Sequence, residues 1–223
     1  MEIRRNFYLD KLIKRKNNGL IKVITGIRRC GKSYLLNNLF YHHLLESGVD
    51  VDHIIRFAFD SADDLYLIGE SLIGIEKEKR GADPEKFMAY VRTKVVDDGM
   101  YYLLLDEIQM LDCFEAVLNS YLRKDNMDVF VTGSNAKLLS KDIATEFAGR
   151  GDEVHMYPLS FAEFMSVYEG DKYTGLSEYM LYGGIPLVVL RDGANDKAAA
   201  LQNLFSEIYI QDICRRNRVK NIG

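Results

Sequence analysis

Apolar positions along the chain fall into two periods. Short runs with little polar alternation occupy residues 20–25, 53–59, 101–105, 129–132 and 153–157. Runs of that length, apolar on both faces, suit the strands of a buried parallel sheet. Between them the period lengthens to that of a helix. Residues 32–46 carry Leu35, Leu36, Leu39, Phe40 and Leu44, and residues 84–96 carry Phe87, Met88, Val91 and Val95 behind a proline at a first-turn position. Strand and helix alternate, which predicts an α/β three-layer sandwich around a parallel sheet. Ligands of such sheets sit beyond the carboxyl ends of the strands. After Pro158 the pattern changes. Residues 160–168, 176–182 and 194–213 are helical in period and only 187–190 reads as a strand, so a helical subdomain is expected to follow the sheet.

Composition narrows the class without naming a partner. The chain has 223 residues, is 48% hydrophobic and carries a net charge of -4. No apolar run approaches the roughly 18 residues a membrane helix needs, and the first residues are charged rather than basic and then apolar, so no membrane partner is expected. Cys30, Cys113 and Cys214 form neither a CxxC pattern nor a pairing framework, which points to a reducing cytoplasm. The charge argues against a surface built throughout for nucleic acid, although a local basic patch survives that average. The basic stretch Arg215, Arg216, Arg218 and Lys220 reads either as such a patch or as a solvated junction. It stops short of a completed hydrophobic element, so the chain is expected to continue in a longer protein.

Chemistry enters at the end of the first strand. Gly26-Ile27-Arg28-Arg29-Cys30-Gly31-Lys32-Ser33 matches GxxxxGK followed by Ser or Thr, with a strand before it and a helix after it, the context this phosphate-binding pattern requires. Its glycines allow a tight turn whose N–H groups converge on phosphate oxygens at a helix start. Lys32 would stand between the β- and γ-phosphates and Ser33 would ligate Mg2+. These eight residues and the adjoining Tyr34 are the candidate positions for ATP or ADP. Arg28 and Arg29 either touch the nucleotide or a neighbouring subunit, or form a solvated face. Cys30 is either a small residue that fits the loop or a thiol lowered in pKa at a helix start.

The run at 101–105 ends in Asp106 and Glu107. In proteins with such a loop the first carboxylate holds Mg2+ through its water shell, and a second one beside it can take a proton from the attacking water. Asp106 is thus the candidate metal residue with Ser33, and Glu107 the candidate base. The next strand runs into Ser134 and Asn135. Either side chain could sense the γ-phosphate, with Asn135 preferred, or the pair could simply cap a helix. Arg150, before the fifth strand, is a candidate arginine finger for its own or an adjacent subunit, or a solvent-facing loop residue.

Together these segments resemble the prokaryotic AAA-type ATPases that carry an IRRxGKS loop, a DEIQ acidic motif, a TGSNxKLL step and a PLSFxEF segment. Here they are Ile27 to Ser33, Asp106 to Gln109, Thr132 to Leu139, and Gly149-Arg150 with Pro158 to Phe164; Tyr182 to Pro186 and the segment from Arg5 to Lys14 extend the likeness over nearly the whole chain. The resemblance implies a sheet in the order 5-1-4-3-2, an ATPase core over residues 1–158, a helical lid over 159–213, and the start of a winged-helix-like region at 214–223. In such proteins a nuclease-like domain usually follows. It also implies ATP and Mg2+ as cofactors and hydrolysis coupled to a conformational change; DNA reached through that further region and a homo-oligomer are candidate partners, with the client left open among DNA, RNA and protein and the oligomeric state left open. The alternative within the resemblance is a slow nucleotide-gated switch of the signalling type. Members commonly carry Ser or Thr where Cys30 stands.

Overall fold

The computed structural model describes residues 3–71, 81–133, 147 and 149–206. It contains two compact units, one of Arg5–Gly26 with Lys32–Met156, the other of Met1–Arg4, Ile27–Gly31 and the chain from Tyr157 onward.

The first unit is built on a five-stranded sheet of β1 (Ile21–Gly26), β2 (Ile54–Ala58), β3 (Tyr101–Asp106), β4 (Met127–Thr132) and β5 (Gly151–Met156), in the order β2-β3-β4-β1-β5. Every pairing is parallel. This is the 5-1-4-3-2 order read from the other edge. β1, β3 and β4, the inner strands, are buried along their whole length, the physical origin of their unbroken apolar runs. Helix α1 (Asn6–Arg15) precedes β1. Two helical pieces follow it, α2 (Lys32–Tyr34) and α3 (Tyr41–Glu46), joined by a π-helical segment, Leu35–Phe40. The sequence predicts one regular helix there; the π segment is a departure from it. Helices α4 (Ala62–Leu67) and α5 (Pro84–Lys94) lie between β2 and β3, and α6 (Phe114–Tyr121) between β3 and β4. Asp83 caps α5 through the N–H groups of Glu85 and Lys86, with Pro84 in the first turn as expected. One face of the sheet packs Ile55, Phe57, Leu103, Leu105, Val129 and Val131 against Phe87, Val91, Val117 and Leu118.

A charged pair lies inside this core. Lys22 of β1 is fully buried, and its ammonium donates to the Asp128 carboxylate of β4 and to the Leu20 carbonyl at 2.7 Å. Asp128 also accepts from the Asn17 N–H at 2.8 Å. Burial lowers the Lys22 pKa and Asp128 raises it again, burial being the larger effect. Removing one partner strands the other in a low-dielectric site, whereas replacing both with apolar groups does not. Asp128→Ala is therefore expected to cost about 3–5 kcal/mol of stability, while the double change Lys22→Met with Asp128→Leu recovers most of it. Urea unfolding of the two variants and the wild type checks this, and equal losses for the single and double variants would refute it.

In the second unit the described helices are α7 (Phe161–Met165), α8 (Lys172–Tyr182), α9 (Pro186–Val189) and α10 (Ala194–Asn203). Ser160 and Glu163 form a capping box at the start of α7. Gly183 ends α8 at φ 73°, and the Leu159 N–H donates to the Gly184 carbonyl at 2.7 Å. A side chain at Gly184 would collide with the Leu159 carbonyl oxygen. The segment 187–190, expected as a strand, is instead helical: Pro186 occupies the first turn behind an extended Ile185. Proline's fixed φ starts a helix, and four apolar residues suit either state. Among the described residues, no helix is long and apolar enough to cross a membrane.

Candidate functional site

The carboxyl ends of β1, β3 and β4 carry the candidate site. β1 ends at Gly26 with φ 139°, and the chain then bends through Arg29 at φ 65° and Gly31 at φ 99° before α2 begins at Lys32. Positive φ is routine for glycine and costly for arginine, so the loop holds one strained residue. Ile27, Arg28 and Arg29 are exposed, whereas Cys30 is buried. Lys32 is only 5% exposed, and its ammonium donates to the Gly26 carbonyl at 3.0 Å, which folds the side chain back over the start of the loop. Tyr34, in the same first turn, keeps 39% of its surface exposed.

Asp106, the last residue of β3, gathers the polar groups around it. Its Oδ1 accepts from the Ser33 hydroxyl at 3.1 Å and from the Thr132 hydroxyl at the tip of β4, and its Oδ2 accepts from the Asn37 amide at 3.1 Å. Burial raises the Asp106 pKa; the bonds from Thr132 and Ser33 act against that, and the neighbouring charges of Glu107 and Asp60 add to it. Glu107 follows in the left-handed region at φ 52°, ψ 48°, a strained backbone state of the kind that clusters at functional sites. Its N–H donates to the Thr132 oxygen at 3.1 Å, and its Oε2 accepts from the Gln109 amide. Thr132 thereby ties both carboxylate residues to β4.

The donor set suits Mg2+. One carboxylate and one hydroxyl, both hard oxygens in mutual contact, leave positions for water and phosphate, and this cation typically takes few protein ligands and keeps its waters.

Lys32, Ser33, Asp106 and Glu107 thus stand at one end of the sheet. Arg150 does not. It precedes Gly151, which pairs with Ile21 at the beginning of β1, and its guanidinium donates to Asn119 at 3.1 Å. The length of β5, about 20 Å at 3.3 Å per residue, separates it from the end of the sheet that carries Asp106. The expectation of a finger acting on its own chain's phosphates is corrected by this placement, because an arginine side chain cannot span that distance. Ser134, Asn135, Cys214 and the basic stretch from Arg215 to Lys220 lie outside the described residues. Sequence reasoning assigned no role to Asn37, Thr132 or Gln109. Asn37 was detectable as the residue one helical turn beyond Ser33, and Thr132 as the last apolar-run position of the neighbouring strand. A groove of about 340 Å3 along the free edge of β2, lined by Arg56, Tyr90 and Lys94, shares Asn37 with this site.

A parallel sheet in this order, with a glycine loop after its first strand and an acidic end on its third, defines a P-loop ATPase fold. Residues 18–165, well over half of the chain, match the model of the AAA domain family, and the chain belongs to that family. An uncharacterised protein of Haemophilus influenzae is 34% identical over 225 residues, covering 98% of this chain and 52% of that protein. One from Methanocaldococcus jannaschii is 28% identical over 228 residues, covering 95% and 45%. The chain thus spans about half the length of these curated relatives. Among solved structures, a Walker-type ATPase of Pyrococcus abyssi superposes with a TM-score of 0.62 at 15% identity, covering 98% of this chain and 77% of that one. Cdc6p from Pyrobaculum aerophilum follows the fold with a TM-score of 0.53 at 16% identity, covering 98% and 64%. At these identities the likeness is one of fold.

Proposed function

We propose that this AAA domain binds ATP with Mg2+ and hydrolyses it, using the free energy to change conformation. The observation that carries the reading is the convergence of Lys32, Ser33, Asp106 and Glu107 at the carboxyl ends of β1 and β3. The loop from Gly26 to Ser33 receives the phosphates on its N–H groups, and Lys32 exchanges the Gly26 carbonyl for phosphate oxygens. Ser33 and Asp106 are the residues that would hold the cation. Mg2+, when bound, offsets the charge that develops on the β- and γ-phosphate oxygens. Glu107 orients a water molecule and takes its proton as the water oxygen bonds to the γ-phosphorus. The bond to the β–γ bridging oxygen breaks, giving ADP and inorganic phosphate. We assign residues 1–158 as the ATPase core, 159–213 as a lid that responds to the nucleotide state, and 214–223 as the start of a further region.

The alternative is a slow nucleotide-gated switch, and one observation favours it: the Gln109 amide donates to Oε2 of Glu107 and so engages one of the two oxygens of the base. The position of Arg150, away from its own loop, suits a homo-oligomer in which it reaches a neighbouring copy's nucleotide. Steady-state ATP hydrolysis over a range of chain concentrations, with Mg2+ or EDTA and with or without duplex DNA, tests these readings together. Mg2+-dependent turnover whose rate per chain rises with concentration is the expected result, and stimulation by DNA would identify the client. Tight ADP retention without steady turnover would favour the switch. Absence of nucleotide binding would overturn both.

A further inference from the structure

We propose that Asn37 is the positioning residue of the cation site, fixing the direction of the Asp106 carboxylate so that Oδ1 is the oxygen offered toward Mg2+. The inference rests on the reading of Asp106 given above and deepens it. Three side chains among the described residues donate to Asp106, and they are not equivalent. Ser33 and Thr132 both donate hydroxyl protons to Oδ1, while Asn37 is the side chain among the described residues that donates to Oδ2. A hydroxyl can rotate and present a lone pair when a cation arrives, and Ser33 must do so to act as a ligand. An amide N–H can only donate. The Asn37 bond is therefore compatible with both the empty and the cation-bound arrangement, and it holds the carboxylate plane while the hydroxyls exchange partners.

The local backbone supports this role. Asn37 lies in the π-helical segment Leu35–Phe40, directly after the phosphate loop. Such segments are rare and occur frequently at functional sites. Leu35, Leu36 and Phe40 of the segment are fully buried, with Phe40 packed 4.4 Å from Phe130, so the segment is anchored in the core on both sides of Asn37. The amide is presented by a firmly packed turn. Groups that orient metal ligands in this way typically cost about 10- to 100-fold in metal affinity when lost.

The test measures binding rather than turnover. The affinity of the chain for a fluorescent non-hydrolysable ATP analogue is titrated against Mg2+ for wild type, Asn37→Leu, Asn37→Gln and the exposed control Asn38→Leu, with affinity in EDTA as the reference. Asn37→Leu is expected to need about tenfold or more Mg2+ for half-maximal enhancement, with the EDTA affinity unchanged. Asn37→Gln, which keeps an amide donor, should lie between it and wild type, and Asn38→Leu should match wild type. A wild-type curve for Asn37→Leu would overturn the inference, as would an equal loss of affinity with and without Mg2+, the mark of a merely structural role. No effect of Mg2+ on the wild-type chain would instead overturn the reading of Asp106 itself, and the inference with it.

Discussion

Lys32→Ala is expected to weaken ATP binding by about 2–4 kcal/mol, roughly 30- to 1,000-fold in Kd, and to abolish turnover. The size follows from where the ammonium sits. It is almost wholly buried and donates to the Gly26 carbonyl, a neutral acceptor that phosphate oxygens would replace with charged ones. Charge-assisted bonds are roughly twice as strong as neutral ones, and the low local dielectric magnifies the difference. The variant should fold normally, because it takes a charge out of a buried position. Isothermal titration with ATP and Mg2+ decides the matter: affinity within a factor of three of wild type would remove Lys32 from the phosphate site. Lys32→Arg should fail as well, since a planar fork cannot occupy the place of a compact ammonium folded back over the loop.

Glu107→Gln should separate binding from chemistry. The substitution keeps the size of the side chain and a hydrogen-bonding partner for Gln109, and it leaves the Glu107 N–H bond to Thr132 intact. What it removes is a group able to accept a proton. General-base catalysis typically contributes about 10²- to 10⁴-fold, so turnover should fall by that range while ATP affinity stays close to wild type. Single-turnover hydrolysis of radiolabelled ATP measures the loss, and unchanged turnover would assign the proton to another acceptor. The left-handed backbone at Glu107 makes the same residue informative about stability. Releasing a strained αL conformation is worth of order 1 kcal/mol, so Glu107→Gly is expected to raise the unfolding free energy even as it removes the base, a trade of stability against function that recurs at active sites.

The two variants probe different kinds of information. The places of Lys32, Ser33, Asp106 and Glu107 at one end of the sheet were legible because each belongs to a short local pattern: a glycine loop between strand and helix, or an apolar run that ends in acids. A strand buried on both faces has no room for polar residues until it reaches the sheet's end, so the first acids after such a run mark the ligand edge. The inner strands were legible for the same reason. Lys22 shows the limit of this reading. It interrupts an apolar run, and only the Asp128 carboxylate, 106 residues further along, explains why a lysine sits inside the sheet.

The short run at 187–190 was misread because four apolar residues carry no period of their own, and Pro186 decides its state from the first turn. For Arg150 the sequence left its own chain, a neighbouring subunit and solvent all open. Its position before the fifth strand was correct in the sequence, but the consequence depends on strand direction: in an all-parallel sheet, a residue preceding a strand lies at the opposite end from residues that follow one.

By itself, the sequence determined the class of fold, the alternation of strand and helix, the glycine loop after β1 and the acidic end of β3, because all of these are written in contiguous residues whose burial dictates their type. Only the tertiary structure decided that Asn37, Thr132 and Ser33 meet on one carboxylate, that Gln109 holds Glu107, that the helix after the loop passes through a π segment, and that Arg150 lies at the opposite end of the sheet from Asp106. Asn37 and Thr132 lie 69 and 26 residues from Asp106 in sequence. Contacts of that separation are set by the order and register in which β1, β3 and β4 pair, and no local pattern encodes that pairing.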